Sequence, residues 1–93
     1  MIDVIAQRTL ENGAGASVLV ELGRPLSDGD AFGCTYRLDC GDGQRTKTIY
    51  GADSFQALML AIKMISVELE LADGTLYWLE PGNGTGFPNP DAL

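Results

Sequence analysis

From Ser54 to Ala72 the chain runs nineteen residues without a glycine or a proline, and this stretch constrains the rest of the fold. It opens at Asp53, which can cap the free amides of a first helical turn, while Gln56, three residues on, can reach back as the partner in a capping box. It stops at Asp73-Gly74, where glycine suits the left-handed conformation of a helix end. The prediction is a helix of about five turns. At about 100° per residue, Phe55, Leu58, Ile62, Ile65, Leu69 and Ala72 share one arc about 100° wide, the stripe expected to face a sheet. Leu60, Met64, Val67 and Leu71 fall in a second arc about 60° wide, displaced roughly 170° from the first, with Ala57 and Ala61 between the two. A helix on one small sheet needs a single apolar stripe, so the second must meet the C-terminal tail, a second copy of the chain or a different protein. Leu60, Met64, Val67 and Leu71 are therefore the candidate interaction residues.

Before the helix the pattern has period two. Ile2–Leu10 reads as a first strand ending at the turn residues Glu11–Gly15. In Ala16–Leu22 the apolar Val18, Val20 and Leu22 alternate with Ser17, Leu19 and Glu21 as a second strand. Gly23-Arg24-Pro25 stops it, and Leu26–Asp30 has the composition of a loop. Phe32, Cys34, Tyr36, Leu38 and Cys40 then alternate with Gly33, Thr35, Arg37 and Asp39, the strongest strand signal in the sequence. Gly41-Asp42-Gly43 supplies a tight turn, and Gln44–Tyr50 returns as a fourth strand. After the helix, Thr75–Leu79 reads as a short fifth strand, and residues 81–93 form a Gly- and Pro-rich tail without regular structure. The expected fold is α+β: an antiparallel four-stranded meander, one long helix packed on one face, and a short C-terminal strand, in the order β-β-β-β-α-β. Residues 1–80 would form one domain, with 81–93 as its tail.

Length and charge narrow the function classes. A chain of 93 residues has room for one core and buries only about 60–65% of its unfolded surface. Thirteen acids against six basic residues give a net charge of −7, which opposes binding to a nucleic-acid backbone. Residues 64–93 carry Glu68, Glu70, Asp73, Glu80 and Asp91 with no basic residue, so one end of the chain is an acidic surface suited to solubility or to steering toward a basic partner. No apolar run approaches the length of a membrane span, and the start, MIDVIAQR, has an acid where a secretory signal carries basic residues. The expectation is a cytoplasmic protein with neither a membrane nor a nucleic-acid partner.

Candidate chemistry is sparse. The sequence has no histidine, which removes the commonest general base and the commonest metal ligand. Gly13-Ala14-Gly15 and the glycines from 82 to 86 do not open a helix after a strand and are not followed by Gly-Lys-Ser/Thr, so they are not a phosphate loop. Asp39 to Gly43 lacks the ligand spacing of a calcium loop. Glu68 and Glu70 stand two apart on the helix and do not face one another as an acid–base pair. Cys34 and Cys40, six residues apart in one strand, would sit about 20 Å from each other, too far for a disulfide, and read as small buried hydrophobes. No catalytic, metal or cofactor residues are assigned. Arg37, Arg45 and Lys47 have the strand parity of the face opposite Cys34 and, with Arg8 on the first strand, form a candidate anion-binding face. Pairing of Arg37 with Asp39 or Glu21 across strands is the simpler account of part of it. Tyr77 and Trp78 alternate in direction, one toward the core and one toward the surface.

The segment Gly51-Ala52-Asp53-Ser54-Phe55-Gln56-Ala57-Leu58-Met59-Leu60-Ala61-Ile62 resembles a family of small uncharacterised bacterial proteins. In that family a β-meander precedes a helix opening G-x-D-S-x-Q-A-L-x-L-A. The likeness extends to Ala6-Gln7-Arg8-Thr9, to Leu76-Tyr77-Trp78 and to Gly86-Phe87-Pro88. It implies the same fold and a bacterial origin, and it carries no activity or functional residues with it. The function expected from the sequence is thus a noncatalytic protein-interaction module, of the immunity or antitoxin kind, acting on another protein or on a second copy as a homodimer. The alternative is a sensor or binding domain that takes a small anionic ligand on the basic sheet face.

Overall fold

In the computed structural model, which describes residues 2–41, 43–72, 76–89 and 91, β1 (Val4–Glu11), β2 (Ser17–Gly23), β3 (Leu26–Asp28), β4 (Ala31–Asp39) and β5 (Gln44–Gly51) precede one helix, α1 (Ser54–Ala72). All pairings are antiparallel. The meander runs β1-β2-β4-β5, and the short β3 pairs with the first residues of β4 on the side that β2 occupies further along. The α+β reading therefore stands, with one added strand. Leu26–Asp28 was expected as a loop; Gly29, at φ 62°, lets the chain reverse in two residues, so that Asp28 lies opposite Ala31. The final strand is reduced to a single bridge between Tyr77 and Glu11, closed by two backbone bonds of 2.8 and 3.0 Å. Asp42 of the hairpin turn, the Asp73-Gly74 helix stop and Thr75 of the expected last strand lie outside the described residues.

Local chemistry sets the boundaries. Asn12 closes the β1–β2 turn by accepting the Ala14 and Ala16 amides on its side-chain oxygen at 2.9 and 3.1 Å. Asp39 does the same at the β4–β5 turn, accepting the Gly41 amide at 2.9 Å and the Gln44 side-chain amide at 3.1 Å. These bonds hold the Asp39 carboxyl below its ordinary pKa. At the helix start Asp53 accepts the Gln56 amide at 2.7 Å, and the Gln56 side chain accepts the Ala52 amide at 2.6 Å. The box forms as expected, with its returning arm one residue further back.

The core lies on one face of the sheet. Leu10, Val20, Cys34, Tyr36 and Leu38 from the strands meet Ala57, Ala61, Ile65 and Leu69 from α1, with Leu76 closing the end. The helix covers β4 and β5. Trp78 and Phe87, packed against the same core, cover the side near β1 and β2. The helix does not sit as its stripes suggested. Phe55 is 75% exposed, whereas Ala57 and Ala61 are fully buried. The reason is the end of β5: a Cβ on Gly51 would stand 2.4 Å from the Ala57 backbone nitrogen. Backbone rests on backbone there, so Ala57 and Ala61 begin the line of contact that Ile65 and Leu69 continue, with Ile62 on one flank and Met64, Val67 and Leu71 on the other.

Candidate functional site

On one flank of α1, Ile62 lies over Ala6, Arg8, Val20 and Leu22, with Gly86, Phe87 and Pro88 of the C-terminal segment beside it, around a cavity of about 280 Å³. The tail was one of three covers proposed for the second stripe. It lies instead against the first, beside Ile62 and Ile65. The other flank carries Met64, Val67 and Leu71. Together with Val18, Leu38, Leu69 and Leu76 they line a groove of about 330 Å³ that also takes in Arg45, Lys47 and Cys40. Leu71 is 82% exposed. Leu60, the remaining candidate of that stripe, lies beside Met59 and Lys63 nearer the helix start. The structure thus joins three of the four candidate interaction residues to two of the four candidate anion-binding residues.

The other two basic residues are elsewhere, and the shared basic face is corrected. Register decides this: Leu38 faces Arg45 and Tyr36 faces Lys47 across the β4–β5 pair, which puts Arg45 and Lys47 on the helix side, whereas Arg37 faces Thr46 on the outer side. There Arg37 is bound to Glu21, with its Nε donating at 2.8 Å and a terminal nitrogen at 2.6 Å. Arg8 stands opposite Val20 on the helix side. Its guanidinium lies 3.8 Å from the centroid of the Trp78 ring and 4.9 Å from that of Phe87, and it donates to the Thr85 carbonyl at 3.2 Å. This clasp was not read from the sequence. The signal for it was an arginine facing inward on a strand, with the aromatic Trp78 and Phe87 in the segment that follows the helix.

The floor of the groove holds a polar group of three. Glu68, only 10% exposed at its side chain, accepts from Arg45 Nε at 2.7 Å and from the Tyr36 hydroxyl. Tyr36 is fully buried. Burial, and then the Glu68 carboxylate as its acceptor, push the phenol above its ordinary range and keep it neutral and donating. A carboxylate at that depth needs both donors, because an unpaired buried charge costs several kcal/mol. Arg45 therefore has two roles, fixing Glu68 while leaving its outer surface at the groove. Lys47 is exposed, with no ion pair among the described residues.

The two cysteines part company as well. Cys34 is buried, donates to the Gly23 carbonyl at 3.4 Å, and has its thiol pKa raised by burial. Cys40 lies just past the end of β4 and is exposed, so its reading as a buried hydrophobe is corrected: the strand stops at Asp39, where the turn begins. Tyr77 and Trp78 are both half-buried rather than divided between core and surface. Among the described residues no three His, Cys, Asp or Glu side chains converge as a metal ion would require, and no helix is long and apolar enough to cross a membrane.

The fold and groove define a small α+β domain in which one helix and a clasped C-terminal segment share one face of an antiparallel sheet. Residues 6–89 match the family described as Domain of unknown function (DUF6968), and the chain belongs to it. No curated protein and no solved structure matches the chain.

Proposed function

We propose that the chain is a noncatalytic protein-interaction module whose docking surface is the groove between the C-terminal half of α1 and the β4–β5 hairpin. The observation that carries this reading is the juxtaposition of Met64, Val67 and Leu71 with Arg45 and Lys47 around one opening. Apolar side chains beside fixed positive charge suit a partner that brings buried apolar anchors inside an acidic rim. The noncatalytic part rests on chemistry: no histidine, a neutral buried phenol and an internally paired carboxylate. Two free thiols suit a reducing, cytoplasmic setting. Inhibition of a partner, as immunity proteins and antitoxins inhibit theirs, is one use of such a surface.

Affinity capture from lysate of the source organism, read by mass spectrometry at low and high salt, tests the reading. One stoichiometric partner is expected with the wild type. It should be lost at high salt and lost with Met64→Lys or Leu71→Glu. A partner retained by both variants would sink the groove as its site. The small-anion reading narrows to Lys47 and the outer surface of Arg45, since Arg8 and Arg37 are each engaged. A dimeric wild type dispersed by Leu60→Glu with Met64→Glu would instead make the second copy the partner.

A further inference from the structure

The two edges of the sheet are not alike. Edge β1 is met by Tyr77 through its paired bonds with Glu11. A register shift also interrupts β1 between Val4 and Ala6. Edge β5 has none of this. Its eight residues pair only with β4 among the described residues, in unbroken register from Gly51 opposite Phe32 to Gln44 opposite Asp39. Gln44 through Thr48 are all exposed, and no proline interrupts them. A straight edge of this length is a template for another strand unless something makes pairing unfavourable.

Its charge selects what can pair. Arg45 and Lys47 stand on the helix side of β5, and the strand carries no acid. A second copy is disfavoured, because any self-pairing that uses most of the strand brings Arg45 and Lys47 of one copy within one or two positions of those of the other. An acidic strand meets the opposite condition. From this geometry we infer that β5 is the docking edge for an extended acidic segment of a partner protein, added as a further antiparallel strand. Side chains of a paired strand repeat every second residue on one face. The segment therefore reads, from its N-terminal side, apolar-x-acid-x-acid, with the apolar residue opposite Ile49 and the acids opposite Lys47 and Arg45. Its intervening residues lie opposite Thr48 and Thr46 on the polar outer side. This inference rests on the interaction reading above and deepens it: strand addition at β5 brings the segment past the mouth of the Met64–Val67–Leu71 groove.

The probe is a capped ten-residue peptide with the core Val-Thr-Glu-Thr-Glu, titrated to millimolar concentration into the full, isotope-labelled chain and followed by amide shifts and hydrogen exchange. The expected footprint is on alternate amides of β5, since only every second one points away from β4. The same peptide with lysine in place of glutamate should leave β5 unmoved. Lys47→Glu, an exposed substitution that should not disturb folding, is expected to weaken the acidic peptide about fivefold or more and to let the lysine peptide bind. Absence of the β5 footprint, or equal binding of both peptides, overturns the inference. Concentration-dependent protection of β5 amides in the protein alone also overturns it, in favour of a second copy. A footprint confined to Met64, Val67 and Leu71 overturns strand addition and leaves the groove reading standing, whereas a partner captured without need of Met64 or Leu71 but competed by the acidic peptide would overturn the groove as docking site and leave strand addition standing.

Discussion

Tyr36 shows how one side chain can join stability to the site. Its ring fills the core between β4 and α1, and its hydroxyl ends on Glu68, the carboxylate that also holds Arg45 at the groove. Removing the hydroxyl in Tyr36→Phe keeps the ring and takes one of two donors from a nearly buried carboxylate, a loss of about 1–2 kcal/mol near neutral pH. The phenol also fixes a pH dependence. Its folded pKa is raised above the unfolded value of about 10, so the neutral phenol's contribution is fully present below that value. It declines as pH rises from there toward the folded pKa, because the unfolded chain ionises first. Urea midpoints of the wild type should therefore fall more steeply between about pH 9.5 and 11 than those of Tyr36→Phe, with Tyr50 and Tyr77 as a shared background. Parallel curves would mean that the phenol titrates alike in both states, and the buried bond to Glu68 would not hold.

Within α1 the decisive residues are the small ones. Ala57 and Ala61 carry the closest approach to the sheet, and Gly51 makes that approach possible. Ala61→Leu should overpack this line and cost about 1–3 kcal/mol, whereas Phe55→Ala, at an exposed position, should fall within about 0.5 kcal/mol of the wild type. Chemical denaturation decides between this and the opposite ranking, which the first apolar stripe would predict. The helix start with its capping box and four of the strands were legible because each is written in a local pattern of caps, turns and alternation. Helix rotation was not, since it depends on which backbone lies under it, and the sequence shows Gly51 and Ala57 only as residues on either side of the helix start. The basic site failed for a related reason. Counting parity along the chain puts Arg37 with Arg45, but the four residues from Cys40 to Gly43 set the register at Asp39 opposite Gln44, and that register moves Arg45 to the other face. Side chains that meet across a turn can be assigned only once the turn's length in the folded state is fixed.

Over the whole molecule, one sheet face carries two covers of different kinds. The helix protects β4 and β5 with regular structure, while the C-terminal segment protects the β1 side with a few anchors. Tyr77 pairs with Glu11, the Trp78 amide donates to the Gly84 carbonyl at 2.8 Å, and the chain turns at Leu79 with φ 71°. A positive φ at a leucine is costly, and the turn is held because Trp78 and Phe87 are gathered around Arg8. Gly86 belongs to the same clasp, since a Cβ there would stand 2.7 Å from both the guanidinium and the Trp78 ring. If Arg8 holds this cover in place, its loss should free the segment without melting the helix. Trp78 is the single tryptophan of the chain, so its emission reports on the clasp alone. Arg8→Ala should shift that emission to the red and speed hydrogen exchange at Trp78 and Phe87, with about 1–2 kcal/mol lost from global stability through the stacking and the Thr85 bond. Helical circular dichroism should be unchanged, because α1 keeps its contacts with β4 and β5. An unshifted Trp78 emission would mean that ring packing alone seats the segment. A collapse of the helical signal would mean that the two covers fold as one unit, and the groove at Met64, Val67 and Leu71 would then depend on a residue near the opposite edge of the same sheet face.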